Sequence, residues 1–263
     1  MPSAYAHYRF GRQVCPLLAP VEQQTVLARP ELFLIGLHGP DIFFYHHPLG
    51  SSPVKQLGHR MHAEPAENFF LPAADRLSVL SDRQTGLSYL YGFLCHFALD
   101  SFCHPYVEAQ MERTGIAHME LEAEFDRMLM IHDGLNPLSH FPAGHIIPST
   151  GNAETIASFF PSLTPRQIHT ALHSMLACNR LLLAPHLPKR ILIQTVFALS
   201  GNASSMRGVM IPLRADPACR ESNRKLGRLY HKALPAAAGL IRNYRRFTEG
   251  KEPLDASLQL TFG

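Results

Sequence analysis

Residues Leu90–Arg127 read LYGFLCHFALDSFCHPYVEAQMERTGIAHMELEAEFDR. The first part is apolar enough to be a buried helix, yet it carries His96, Asp100 and His104 at four-residue steps, along roughly one helical face. Three polar side chains among Leu94, Phe97, Ala98, Leu99 and Phe102 have to be hydrogen-bonded, paired or metal-bound, because an unsatisfied buried polar group costs about 1–3 kcal/mol. His118 and Glu122 make a further same-face pair on a second predicted helix. Five imidazoles and carboxylates in helical register within such a short stretch form a metal-binding pattern.

Successive members of the first set are offset by about 6 Å along the helix and about 40° around it, so His96 and His104 stand about 12 Å and about 80° apart. They cannot share one zinc, whose bonds are only about 2.0–2.2 Å long. The economical arrangement is two or more ions, with His96 and Asp100 on one, His104, His118 and Glu122 on another, and Asp100 free to bridge. Pro105 disfavours helical backbone at the residue before it, so His104 is expected at a helix end, leaning towards the second helix.

HFALDSFCHPYV followed by HMELEAEFDR resembles the core of the zinc-dependent phospholipase C family, whose pattern is His-x3-Asp, then His-Pro or a nearby His, then His-x3-Glu. Upstream, GPDIFFYHHP and LGHRMHAEPAENFF resemble segments of its bacterial branch, and the likeness covers about residues 4 to 130. The resemblance implies an all-α, multi-helix bundle shared with fungal single-strand zinc nucleases. It also implies two to three zinc ions and hydrolysis of phosphate esters, with phospholipid as the substrate class. On that basis Asp41, His62, His96 and Asp100 hold the first ion and His104, His118 and Glu122 the second. His7 with Asp100 makes a third site, and Asp41 doubles as the base that positions water. The family places the free amino terminus of a processed chain at that third site. Here no signal cleavage is expected, and removal of Met1 would expose Pro2, a secondary amine, so the chain departs from the pattern.

Read alone, Asp41 follows Gly39-Pro40 and is an ordinary turn residue. His59, three residues before His62, is a supporting or solvent-facing group, and Glu64 is placed to orient a ligand imidazole. Phe44 and Tyr45, in the aromatic run 42 to 45, are pocket residues for an acyl chain or headgroup unless they are core. His46 and His47 flank the same loop, and His132, His140 and His145 read as loop histidines. VKQLGHRMHAEPAENFF reads as one helix, and a short helix runs from His7 to about Cys15. Asp126 reads as a capping group or as the partner of Arg127.

The chain has 263 residues, of which 46% are hydrophobic and 17% charged, ordinary for a globular protein. No linker, repeat or low-complexity tract divides it, so one domain over 1–263 is expected, with a metal-binding half to about 132 and a helical half from about 150 to 250. The start lacks the apolar core of a signal peptide, and no apolar run approaches the length of a membrane span, so cytoplasmic residence is expected. Five cysteines agree with a reducing compartment. Thr164 and Pro165 open a long amphipathic helix, with His169 and His173 on its polar face. From Arg220 to Lys251, nine Lys and Arg against two Glu give about +7 in a protein of net +3. Such a segment is a solvated helix face or meets an anionic surface, and Pro235 should kink or break it. Two rivals to phospholipase chemistry stand: a nuclease or nucleotidase on the same scaffold, and a non-catalytic helical metal protein.

Overall fold

The apolar run before His96 is the middle of a 32-residue helix, Arg83–Thr114. Asp82 caps its start by accepting the amide of Thr85 at 3.1 Å, and Gly115, at φ 71°, ends it by donating to the Met111 carbonyl at 2.8 Å. The computed structural model describes residues 4–199 and 208–262, and every regular element among them is a helix. In chain order the α-helices are α1 Ala4–Val14, α2 Pro20–Ala28, α3 Pro30–Gly36, α4 Pro53–Ala63, α5 Glu67–Val79, α6 Arg83–Thr114, α7 His118–His132, α8 Thr150–Ser158, α9 Pro165–Leu182, α10 Leu187–Leu199 and α11 Arg220–Thr248. A 3-10 turn over Gly39–Tyr45 carries Asp41.

From Gly86 to Asp100 every side chain of α6 is buried, as expected of a helix packed on all sides. α1, α2, α3 and α11 surround it, and one hydrophobic cluster joins residues from Tyr5 to Phe262. The closest approach is between α3 and α6. A Cβ on Gly92 would stand 2.1 Å from the Phe33 carbonyl oxygen, and one on Gly36 would stand 2.2 Å from that of Tyr89. Only bare backbone fits there, and the crossing delivers the chain directly to the Asp41 turn beside His96.

Several local expectations give way to packing. α6 passes through Pro105 without ending, so His104 lies inside the helix and reaches α7 by its side chain alone. α11 likewise runs unbroken through Pro235. In each case the lost amide and the ring clash, about 3 kcal/mol, are outweighed by burial on both sides of the proline. In α11 that burial comes from Tyr230 and Ala233 before Pro235, and from Ala237, Ile241 and Tyr244 after it. Pro65 does act as a breaker: Glu64 is extended, and the expected single helix is two, α4 and α5. α1 begins earlier than expected, at Ala4. Ile42 and Phe43 are fully buried and Tyr45 is buried too, so three of the four residues in the run 42 to 45 are core. The basic segment is partly neutralised by Arg245 with Glu22 and Glu249, Arg246 with Glu252, and Lys251 with Glu249. Among the described residues no helix is long and apolar enough to cross a membrane.

The helix crossing makes a direct prediction. Gly92→Ala should cost about 3 kcal/mol, because a main-chain oxygen cannot step aside. Gly227→Ala, where a Cβ meets nothing within 4 Å, should be neutral or stabilise by up to about 1 kcal/mol. Urea unfolding measures both, and equal stabilities would contradict the crossing.

Candidate metal centre

α1 is held against α7 by two acids. Asp126, fully buried, accepts the first-turn amides of Ala6 at 2.8 Å and Tyr5 at 3.2 Å. It therefore caps α1, not its own helix, while Arg127 donates to the Pro212 carbonyl instead of pairing with it. Asp133 takes two bonds from Arg9, at 2.6 and 2.9 Å, and one from the Tyr5 hydroxyl at 2.6 Å. These contacts bring His7, one turn into α1, against the middle of α6.

Asp100 is the meeting point. Its Oδ1 lies 3.2 Å from His7 Nε2 and 3.6 Å from His104 Nε2, and its Oδ2 lies 2.9 Å from His96 Nε2. To one side, Asp41 stands 3.1 Å from His62 Nε2; to the other, Glu122 stands 3.2 Å from His118 and 3.6 Å from His104. Three groups result, His7–His96–Asp100, Asp41–His62–His96 and His104–His118–Glu122, each with its ligand atoms within 4.8 Å of one another. All eight residues singled out from sequence converge here. The amino-terminal ligand considered at Met1 or Pro2 lies outside the described residues.

The donor set fits zinc. Bonds of about 2.0–2.2 Å in a tetrahedron place ligand atoms about 3.3–3.6 Å apart, close to most of these separations. His96 Nε2 is buried without a hydrogen-bond partner despite its nearness to Asp100, the relation of two ligands of one ion and not of donor to acceptor. Three imidazoles also have their far nitrogen fixed by a main-chain carbonyl: His62 Nδ1 to Gly58 at 2.8 Å, His96 Nδ1 to Leu37 at 3.2 Å and His104 Nδ1 to Phe262 at 2.8 Å. A carbonyl can only accept, so each ring holds a proton on Nδ1, and in its neutral form it turns a bare Nε2 inward, the tautomer a metal requires.

Without a metal, the charges balance through protons. Burial opposes charge on His104, but Asp100 and Glu122 push it up to about 10. Against the same burial, His104, His96 and His7 hold the Asp100 carboxyl well below its usual range. Glu122 is likewise held low, with hydrogen bonds from His104 and His118. Burial of Asp41 is outweighed by its hydrogen bond from His62 together with the charges of His96 and His62, which keep it ionised. His96 is lowered, because burial exceeds the pull of Asp100.

The neighbours differ from expectation in several places. Glu64 is exposed and orients no imidazole; the Gly58 carbonyl does that for His62. His59 is exposed beside the Phe44 ring at 4.7 Å, and Phe44 lies 5.3 Å from His62, against the wall of the site. Tyr45 is buried away from the ligands, accepting a bond from Asn179 at 3.3 Å. His46 is buried 3.1 Å from Ser52 Oγ, and His47 is exposed. His145 is no free loop histidine: its Nε2 lies 2.7 Å from that of buried His38, and its ring stacks on Tyr8 at 4.3 Å. Burial lowers His145 to about 4 and holds His38 well below the usual histidine range, so both are neutral. Sequence reasoning missed His38, whose only signal was its place before Gly39, and Phe262, whose ring packs 5.9 Å from His62 and 6.0 Å from His96.

A sign for pH follows. Zinc binds neutral imidazole, whereas His104 holds a proton through neutrality in the metal-free chain. Zinc uptake at about pH 7.5 should therefore expel a proton, and affinity should strengthen as pH rises towards 10. Calorimetry in two buffers of different ionisation enthalpy counts that proton. Affinity flat between about pH 6 and 9, with no proton released, would contradict this charge balance.

No curated protein and no solved structure matches the chain. The family model described as zinc-dependent phospholipase C matches residues 6–171. That span is more than half of the 263 residues and includes all eight side chains of the centre. The chain belongs to the zinc-dependent phospholipase C family.

Proposed function

We propose that the chain hydrolyses phosphodiesters of lipids as a phospholipase C, using about two to three zinc ions held by the eight residues that converge on Asp100. The observation that carries this reading is the linkage of the groups: His96 belongs to two of them, and Asp100 reaches into the third through His104. In this reading Asp41, His62, His96 and Asp100 hold one ion, His104, His118 and Glu122 a second, and His7 with Asp100 a third. When bound, such ions polarise the phosphoryl oxygens, make water a stronger nucleophile and offset charge on the leaving oxygen.

The side chains supply positioning. Asp41, ionised and fixed by His62, accepts a hydrogen bond from water and aims it at phosphorus. Asp100, 4% exposed, is shielded from solvent and keeps His7, His96 and His104 at one carboxylate. The rim is open by comparison: the side chains of Asp41, His62 and His118 are 19%, 20% and 34% exposed. A structural zinc site is closed by protein ligands, and a catalytic one keeps a position for water and substrate. The exposed rim therefore favours an enzyme over a purely structural metal protein.

Asp41→Asn retains the size of the group and loses the charge that orients water and helps hold the first ion, so kcat should fall by about 100-fold or more even at saturating zinc. The assay uses a short-chain phosphatidylcholine, single-stranded DNA and a simple aryl phosphodiester in parallel, on zinc-loaded protein. Turnover of the lipid alone or fastest supports the proposal. Turnover of DNA alone would move the activity to the nuclease reading, and none with any substrate would leave the centre structural.

A further inference from the structure

Outside the metal centre, α10 is turned against its own amphipathic logic. It exposes Ile191, Leu192 and Val196 at 58%, 64% and 54%, while Arg190 is only 7% exposed. Rotation about the helix axis would bury aliphatic surface and free the guanidinium, which is the usual arrangement. A charge kept inside without a counterion is among the costlier features a fold can hold. Arg190 uses one nitrogen to donate to the Ile211 carbonyl, but its Nε is buried with no partner. Among the described residues no carboxylate pairs with it. The one carboxylate that lines the same cavity, Asp126, has one oxygen on the Tyr5 amide and the other on the Ala6 amide.

Arg190 lines a cleft with about 100 Å³ of free space, between the Pro137–Pro142 loop, the end of α9 and residues 209–211. Its walls are mainly apolar, with Met130, Leu138, Leu182 and Met210, and its polar edge includes Tyr45 and Asn179. None of the eight residues of the metal centre lines it. An unpaired guanidinium at the wall of an apolar cleft has the chemistry of a carboxylate or phosphate receptor, since Arg offers a planar set of donors to either group.

We propose that this cleft binds a small anionic amphiphile, a carboxylate or phosphate monoester with a short alkyl chain. Its head meets Arg190, and its chain lies against Met130, Leu182 and Met210. The inference does not depend on the phosphodiesterase reading.

The test is a titration of the full zinc-loaded chain, carrying 13C-methyl methionine, with hexanoate, butyl phosphate, hexanol and inorganic phosphate. Met130 and Met210 report the cleft directly, which separates it from anion binding at the metals. Hexanoate, butyl phosphate or both should shift these two methyl signals and bind at least about 10-fold tighter than hexanol or inorganic phosphate. The anion that binds identifies the head. Arg190→Met should weaken binding at least about 10-fold without lowering the melting temperature of the ligand-free chain, because it removes an uncompensated buried charge. Leu182→Trp keeps Arg190 and fills the cleft, so it should abolish the shifts even if Arg190→Met fails to fold. Hexanol binding as tightly as hexanoate, undiminished binding to Arg190→Met, or unmoved Met130 and Met210 signals with both anions would overturn the proposal.

Discussion

A buried carboxylate facing three imidazoles is the constraint on which the rest of this structure depends. Asp100 lies at the centre of the longest buried helix, out of contact with bulk water and within 3.6 Å of His7, His96 and His104. Such a group is tolerable only when positive charge is brought to it, from protonated histidine or from metal ions. The surrounding architecture does this from both sides. α1 delivers His7 because Asp126 and Asp133 hold it to α7, and α7 delivers His118 and Glu122. The glycine crossing of α3 and α6 leads the chain into the turn that sets Asp41 near His96.

Orientation of the ligands comes from main-chain oxygens far apart in sequence. Leu37, Gly58 and Phe262 each accept from the outer nitrogen of a different imidazole. The last of these belongs to the end of the described chain, pinned by the Leu260 carbonyl accepting the Ala66 amide at 2.9 Å. The C-terminal half thus contributes to the metal centre. It supplies α11, which covers α6, and the contact that fixes His104. Gly39, at φ 43°, has a similar role, since a Cβ there would stand 2.4 Å from the His96 ring.

What could be read from sequence was local and periodic. Four-residue spacing placed His96, Asp100 and His104 on one face and paired His118 with Glu122, and these relations survive because helical geometry alone produces them. Helix starts with a clear cap, such as Thr164 with Pro165 at the start of α9, were legible for the same reason. Pro105 and Pro235 misled because a proline penalty is a local quantity, and the packing that overrides it involves residues distant in the chain. Asp126 capping α1, the His38–His145 pair and the Phe262 carbonyl on His104 left no short-range trace, since each joins residues more than 100 positions apart. Glu64 failed as an orienting group because Pro65 turns the chain outward there.

The centre is meaningful as chemistry only if cations fill it. Metal analysis of protein purified without chelators tests that most directly. The account predicts about two to three zinc ions per chain, falling together on mutation of Asp100 to Asn. A fully folded chain that carries no zinc, and takes up none from micromolar solution, would contradict it.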